Sequence, residues 1–253
     1  MARKSRLIYP GIPHHANHSV ITKPLITRGR RGNNRQEIFL EDGDRHYYLK
    51  WMLSLAIDNK VPIIGYCLMT NHIHLLLLPQ TVTGLINFMK VLSQRYTQYF
   101  NYTYHRTGKL WGNRYKLHPF EPESNSALLR YVERNPLRAG IVDNVIDYPW
   151  SSARYHLTGK FDPYIMVDIL KYNPNDYRDF FSLSSADDHQ HLTEIRTAVK
   201  QGCAYGSEDF IRWLTERLQC IVTPRPKGRP RKTIKSSRKI GAGEKGSTSG
   251  DLN

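Results

Sequence analysis

The 253-residue sequence predicts a layered α+β body. Two short apolar runs, Val61 to Met69 and His72 to Leu78, meet at Thr70-Asn71 and read as a hairpin of strands, because each is brief and bounded by turn residues or proline. Apolar residues recur at helical spacing on either side of that hairpin. The last thirty or so residues, rich in Pro, Gly, Ser, Lys and Arg, lack any apolar period, so the core is confined to the rest.

A strand near Pro13 to Thr22 opens the body. Arg45 to Asn59 carries Tyr48, Trp51, Met52, Leu55 and Ala56 on one stripe and reads as a helix. After the hairpin, Thr83 to Phe100 sets Leu85, Phe88, Met89, Leu92, Tyr96 and Tyr99 along one helical face, which packs on the sheet. Tyr115 to Glu121 reads as another strand. Ser124 or Ser126 caps a third helix, SALLRYVER, and Asn135-Pro136 closes it, since the residue before proline is pushed out of the helical region. Farther on, His191 to Lys200 and Ser207 to Gln219 read as helices, the first ended by Gly202 and the second capped by Ser207 with Glu208 and Asp209 in its first turn. The expected organisation is an α+β body over 1–160, a small helical module over 161–222, and a basic tail over 223–253 that is disordered when free.

Composition narrows the class of function. Hydrophobic content of 40% is ordinary for a globular chain, and the three cysteines are odd in number and widely spaced, which suits a reducing cytoplasm. No apolar window is long enough to cross a bilayer, because the leucine run stops at Pro79. The +15 charge is concentrated in two arms: residues 1–36 hold eight Lys/Arg and no acid, residues 223–253 hold nine against two, and the remainder balances at 20 against 20. A further basic stretch lies at 90–138. Such a distribution points to a polyanion, and so to a cytoplasmic, nucleoid-associated protein.

Two features carry chemistry. In a strand, His72 and His74 project from one face roughly 7 Å apart at Cα, within reach of one metal ion. The alternative is that they are core-edge histidines satisfied by hydrogen bonds. Ile73, Leu75 and Leu77 face the other way. In the third helix Tyr131 and Asn135 stand at i and i+4, about 5 to 6 Å apart at Cβ, which would suit a nucleophile and an oxygen ligand, or a packed tyrosine near a helix end. A phenol with an ordinary pKa near 10 needs help to attack, which a metal or Arg130, Arg134 or Arg138 would give. There is no zinc-finger Cys pair, no His-Glu-x-x-His, no Gly-x-Ser-x-Gly, and the GAGEKGST at 241–248 misplaces its lysine for a phosphate loop, so no nucleotide cofactor is expected.

Several segments in order, YPGIPHHA, RGNNRQEIF, GYCLMTNHIHLLL, RYTQYFNYTYHRTGKLWGNRYK, LLRYVERNPLRAGIV and YPWSSARYHLTGK, resemble the REP-associated tyrosine transposases, single-tyrosine HUH enzymes that act on single-stranded DNA. The resemblance covers about residues 7–160, with AVKQGCAYGSEDFI and RPKGRPRK resembling a C-terminal extension. It implies a ferredoxin-like βαββαβ antiparallel sheet, His72 and His74 as metal ligands, Tyr131 as nucleophile, Asn135 as third ligand, and palindromic DNA hairpins with a single-stranded foot as partner. It departs from the family at Asn17 to Arg30, which intervene before the RGN segment, and at Thr70, where proline is usual. Two imidazoles with oxygen donors suit Mn²⁺ or Mg²⁺, and the lack of thiolates disfavours zinc.

The expected activity is cleavage and rejoining of single-stranded DNA through a 5′-phosphotyrosine, by a monomer or homodimer with no membrane association. Expected DNA contacts are Arg3, Lys4, Arg6, Arg28, Arg30, Arg31 and Arg35 in the first arm; Arg95, Tyr102, Arg106, Lys109, Arg114, Arg130, Arg134 and Arg138 in the body; and Arg229 and Arg231 in the tail. Tyr104 is a further candidate for stacking on bases. The competing readings are a hairpin-binding repressor that does not cleave, and a small-molecule metalloenzyme, which would explain the His pair but neither charged arm.

Overall fold

The computed structural model describes residues 6–20, 37–168, 170, 174–182 and 188–224. The first elements run β1 (His14–Ser19), α1 (Asp42–Asp58), β2 (Ile63–Leu68), β3 (His72–Leu77), α2 (Val82–Thr103), β4 (Lys116–Pro119), α3 (Asn125–Glu133). The strands form one sheet in the order β2-β3-β1-β4, and every pairing is antiparallel. That is the expected βαββαβ arrangement, with β1 central and β4 at an edge.

Strand alternation divides β3 between two cores. Ile73, Leu75 and Leu77 are fully buried in the cluster beneath α1 and α2, while Leu76 joins the cluster beneath α3 on the opposite face. Each such burial contributes about 1.5–3 kcal/mol, so the leucine run fixes the register and thereby the face on which His72 and His74 emerge.

The helix over α2 buries Leu85, Phe88, Met89, Leu92, Tyr96 and Phe100, and Thr81 caps it by accepting from Gly84 N at 3.0 Å. Tyr99, expected on this stripe, lies partly buried beside it and donates to Asp44. Tyr104 donates to the other oxygen of Asp44 at 2.8 Å, so its hydroxyl braces α1 against α2 and is not a free platform for bases. Asp44 also accepts from Leu40 N and Glu41 N, completing a reciprocal cap at the start of α1.

The helix α3 does not simply stop at Asn135-Pro136. A short turn of helix, α4 (Asn135–Arg138), follows, because proline is accommodated in a first turn where its missing N–H has no acceptor to serve. Then come α5 (Ala153–Thr158), α6 (Pro174–Ser182), α7 (Asp188–Gln201) and α8 (Glu208–Leu218). Gly202 at φ +65° ends α7 and Ser207 Oγ caps α8 by accepting from Phe210 N, as the sequence led one to expect. Neither α5 nor α6 was apparent in the sequence.

The C-terminal helices share cores with the body. Tyr177, Phe181, Ile195 and Val199 belong to the cluster that holds α3, and α8 buries Phe210 and Leu214 with Leu7 and Ile12 from the N-terminal segment. No described helix is long and apolar enough to cross a membrane.

Candidate functional site

The site assembles where α3 crosses the His-bearing face of the sheet. Two strands supply it by register: Asn17 pairs with His74 on one side and Lys116 on the other, and His15 pairs with Leu76 and with His118. With a period of two, His15 and Asn17 on β1, His72 and His74 on β3 and His118 on β4 therefore share one face.

His15 bridges its neighbours. Its Nε2 lies 2.7 Å from His74 Nδ1 and its Nδ1 2.9 Å from His118 Nε2. The His15 and His74 rings are parallel with centroids 5.0 Å apart, and Asn17 Nδ2 lies 3.2 Å from His74 Nε2. Burial, reinforced by the neighbouring imidazoles, holds His15, His74 and His118 well below the usual histidine pKa, so all three are neutral at pH 7. His72 is partly buried, 5.0 Å from His74 between ring centroids, and its Nδ1 lies 2.6 Å from Asn71 Oδ1.

Tyr131 comes down on this group from α3, its ring centroid 6.0 Å from that of His74 and 6.1 Å from that of His15. Burial raises its pKa, while Arg138 and Arg196 pull in the other direction. The Arg138 guanidinium stands 4.8 Å from the centre of the Tyr131 ring and donates to Tyr131 O and to Asn135 Oδ1. Burial lowers the Arg138 pKa to about 10, leaving it charged at neutral pH.

A carboxylate missed in the sequence fixes this helix. Glu133, fully buried, accepts from Ser152 Oγ at 2.6 Å, from His156 Nδ1 at 2.6 Å and from Tyr177 OH at 3.0 Å, tying α3 to α5 and α6. Two residues from Tyr131, it sets the rotation of the helix that presents the phenol.

The structure brings together some of the expected residues and separates others. Asn135 uses its amide to cap the end of α3, donating to Tyr131 O and Val132 O, and its oxygen faces Arg138. Arg130 is buried with Nε donating to Phe181 O, and Arg134 donates to the same carbonyl, so both serve the α3–α6 junction. Arg95 lies over Trp51 at 3.8 Å, Arg106 over Phe100 at 5.3 Å, and Tyr102 is 87% exposed. Arg6, Lys109 and Arg114 line a groove at the β4 edge. Arg3, Lys4, Arg28, Arg30, Arg31, Arg35, Arg229 and Arg231 lie outside the described residues.

The donor chemistry fits a divalent cation in part. His74, kept neutral by burial, has a lone pair to offer a metal and His72 stands beside it, yet among the described residues no set of three or more His, Cys, Asp or Glu is arranged to hold one. A site with two imidazoles from the protein leaves the remaining positions to amide oxygens, water and a substrate phosphate, the pattern of cations that bind with their substrate.

Tyr131 thus lies on a helix over paired histidines of an antiparallel βαββαβ sheet, and residues 30–135, which contain His72, His74 and Tyr131, match the family model described as IS200-like transposase. Among solved structures it is similar to a REP-associated tyrosine transposase bound to a REP hairpin, at 16% identity over 68% of this chain and 95% of that one, TM-score 0.43. It is also similar to a chain from Deinococcus radiodurans described as a transposase, at 18% identity over 53% and 97%, TM-score 0.34. No curated protein matches it.

Proposed function

We propose that this protein is a transposase of the REP-associated kind, a divalent-metal-dependent, single-strand DNA endonuclease and strand transferase acting on palindromic hairpins through a 5′-phosphotyrosine on Tyr131. The observation that carries the reading is the convergence of Tyr131 with His74, residues far apart in sequence, beside the charged Arg138. A purely structural tyrosine has no need of a guanidinium and a neutral imidazole pair at its ring. The hairpin preference rests on the ordered sequence motifs shared with that family.

In the reaction, Tyr131 Oη attacks the scissile phosphorus and the bond from phosphorus to the 3′ oxygen breaks. The phenolic proton passes to water and the departing 3′ oxygen takes one, leaving a 5′-phosphotyrosine and a free 3′-hydroxyl. Arg138 favours the phenolate and the charge growing on the phosphate oxygens. His72 and His74, with Asn135 Oδ1 once it is turned from Arg138 as the proposed third ligand, would hold a Mg²⁺ or Mn²⁺ ion, which supplies Lewis-acid polarisation of the phosphate when bound. His15, His118 and Asn17 orient His74, and Glu133 keeps α3 in place. Attack of a 3′-hydroxyl on the phosphotyrosine reverses the step and joins strands with no nucleotide cofactor, because the phosphoester is conserved throughout.

The test is incubation of the protein with an end-labelled DNA hairpin bearing single-stranded flanks, with and without Mg²⁺ or Mn²⁺. Metal-dependent cleavage near the hairpin foot supports the reading. Salt-sensitive binding with no cleavage in either metal would replace it with the non-cleaving hairpin binder.

A further inference from the structure

We infer that the groove at the N-terminal end of β4 is a binding site for single-stranded DNA, carrying the strand that leaves the Tyr131 centre around the edge of the sheet. The inference rests on the strand-transferase reading for its starting point and on the groove's own chemistry for its ligand. The groove has a volume of about 860 Å³ and is lined by Arg6, Lys90, Lys109, Arg114, Lys116 and Lys200, with no Asp or Glu among its described lining residues. Six cations around one concavity without a carboxylate make a strongly positive, focusing surface for a polyanion.

The walls are pre-formed. Trp111 stacks on His18 with ring centroids 4.1 Å apart and 13° between planes, its indole N–H donating to Ser93 O, and His18 Nε2 is fixed by Asn113 O at 2.9 Å. Arg6 lies 3.7 Å over the Tyr115 ring. Phosphates would meet the lining cations and bases the accessible apolar surface of Ile86 and Trp111, the division of labour of single-strand sites.

Position connects the groove to the centre. Lys116 and His118 alternate with Leu117 on β4, so Lys116 shares the sheet face that carries His15 and His74 and stands opposite Asn17, whose amide touches His74. Leu117 lies in the α1–α2 core and His18 faces Ser93 of α2, so the same groove reaches the other face. It turns the sheet edge within the span of a four-residue strand. Duplex DNA, with a persistence length of about 150 base pairs, resists so sharp a turn, whereas a single strand makes it readily.

The experiment measures, by fluorescence anisotropy, binding of the full chain to hairpins with a short or a long single-stranded flank on either side, and to a flankless duplex, over a salt series. Wild type should bind one long-flank hairpin more tightly than its short-flank counterpart, with a slope of log affinity against log salt steeper by about 2, as three single-strand phosphate contacts require. Combined Lys90→Gln, Lys116→Gln and Lys200→Gln should remove that extra slope and the flank dependence, and the corresponding Lys→Arg set should restore both. Flank dependence that persists undiminished in the Gln set, or equal wild-type affinity for long-flank, short-flank and flankless DNA, overturns the inference. A protein that shows flank-dependent binding yet cleaves no substrate keeps the groove and loses the strand-transferase reading; one that cleaves with no flank dependence does the reverse.

Discussion

His15 Nε2 and His74 Nδ1 lie 2.7 Å apart, a contact that engages Nδ1 of His74 and leaves its Nε2 as the nitrogen facing Asn17. A chain of neutral imidazoles from His74 through His15 to His118 has two consistent proton arrangements. If His74 Nδ1 donates to His15, and His15 Nδ1 donates to His118, then His74 Nε2 keeps its lone pair. Asn17 Nδ2 beside that nitrogen favours this arrangement, as would a bound cation. The cost falls on His118 Nδ1, which is buried with no hydrogen-bond partner.

The first prediction concerns that chain. His15→Phe removes the acceptor for His74 Nδ1 and should weaken Mn²⁺ binding by about 10- to 100-fold in calorimetry, whereas His15→Gln, which can place an oxygen near Nε2, should recover much of the loss. Equal affinity in wild type and His15→Phe would show that the bridge is only a packing contact.

Arg138 should act on rate. Arg138→Gln keeps hydrogen-bonding capacity toward Tyr131 O but removes the charge beside the phenol, and single-turnover cleavage should slow by about 10²- to 10³-fold with hairpin affinity changed much less. A loss confined to affinity would place Arg138 in binding alone.

Glu133 should dominate stability. Glu133→Ala strands a buried imidazole, a tyrosine hydroxyl and a serine, and should cost about 3–5 kcal/mol in denaturant unfolding. Burial alone would lower the His156 pKa, but Glu133 more than compensates and the net shift is upward. A raised folded pKa gives stabilisation that is complete below about pH 6.5 and lost as pH rises through the folded value, so the penalty of Glu133→Gln should shrink in alkaline buffer.

His14 and His18 produce the opposite pH trend. Burial lowers both to about 4, outweighing hydrogen bonds to Ile12 O and Asn113 O. Unfolded chains take up these protons from about pH 6.5 downward while the folded state refuses them until about 4, so stability should fall across that window by roughly 1.4 kcal/mol per pH unit for each histidine once below 6.5. Thermal midpoints measured from pH 7 to 4 would show it, and His18→Phe should flatten the slope.

Much of this was legible in the sequence because it is local. The period of two around His72 and His74, the stripe of Leu85 to Tyr96, and the i and i+4 spacing of Tyr131 and Asn135 require only a strand or a helix to exist. What the sequence hid depends on register. His15 becomes a neighbour of His74 only when β1 pairs with β3, and Glu133 reads as an ordinary surface acid in YVERN until α5 and α6 close over it. Tyr104 looked open for bases because its partner, Asp44, lies on another helix. The helix at Pro174–Ser182 was hidden by its many polar residues, its buried face among the described residues being Tyr177 and Phe181.

The most direct measurement is mass spectrometry of the protein after incubation with a hairpin oligonucleotide and Mn²⁺ under denaturing quench. The account predicts a covalent protein–DNA adduct whose modified peptide carries the nucleotide on Tyr131, and none with Tyr131→Phe. An adduct on another residue, or one that survives Tyr131→Phe, would contradict it.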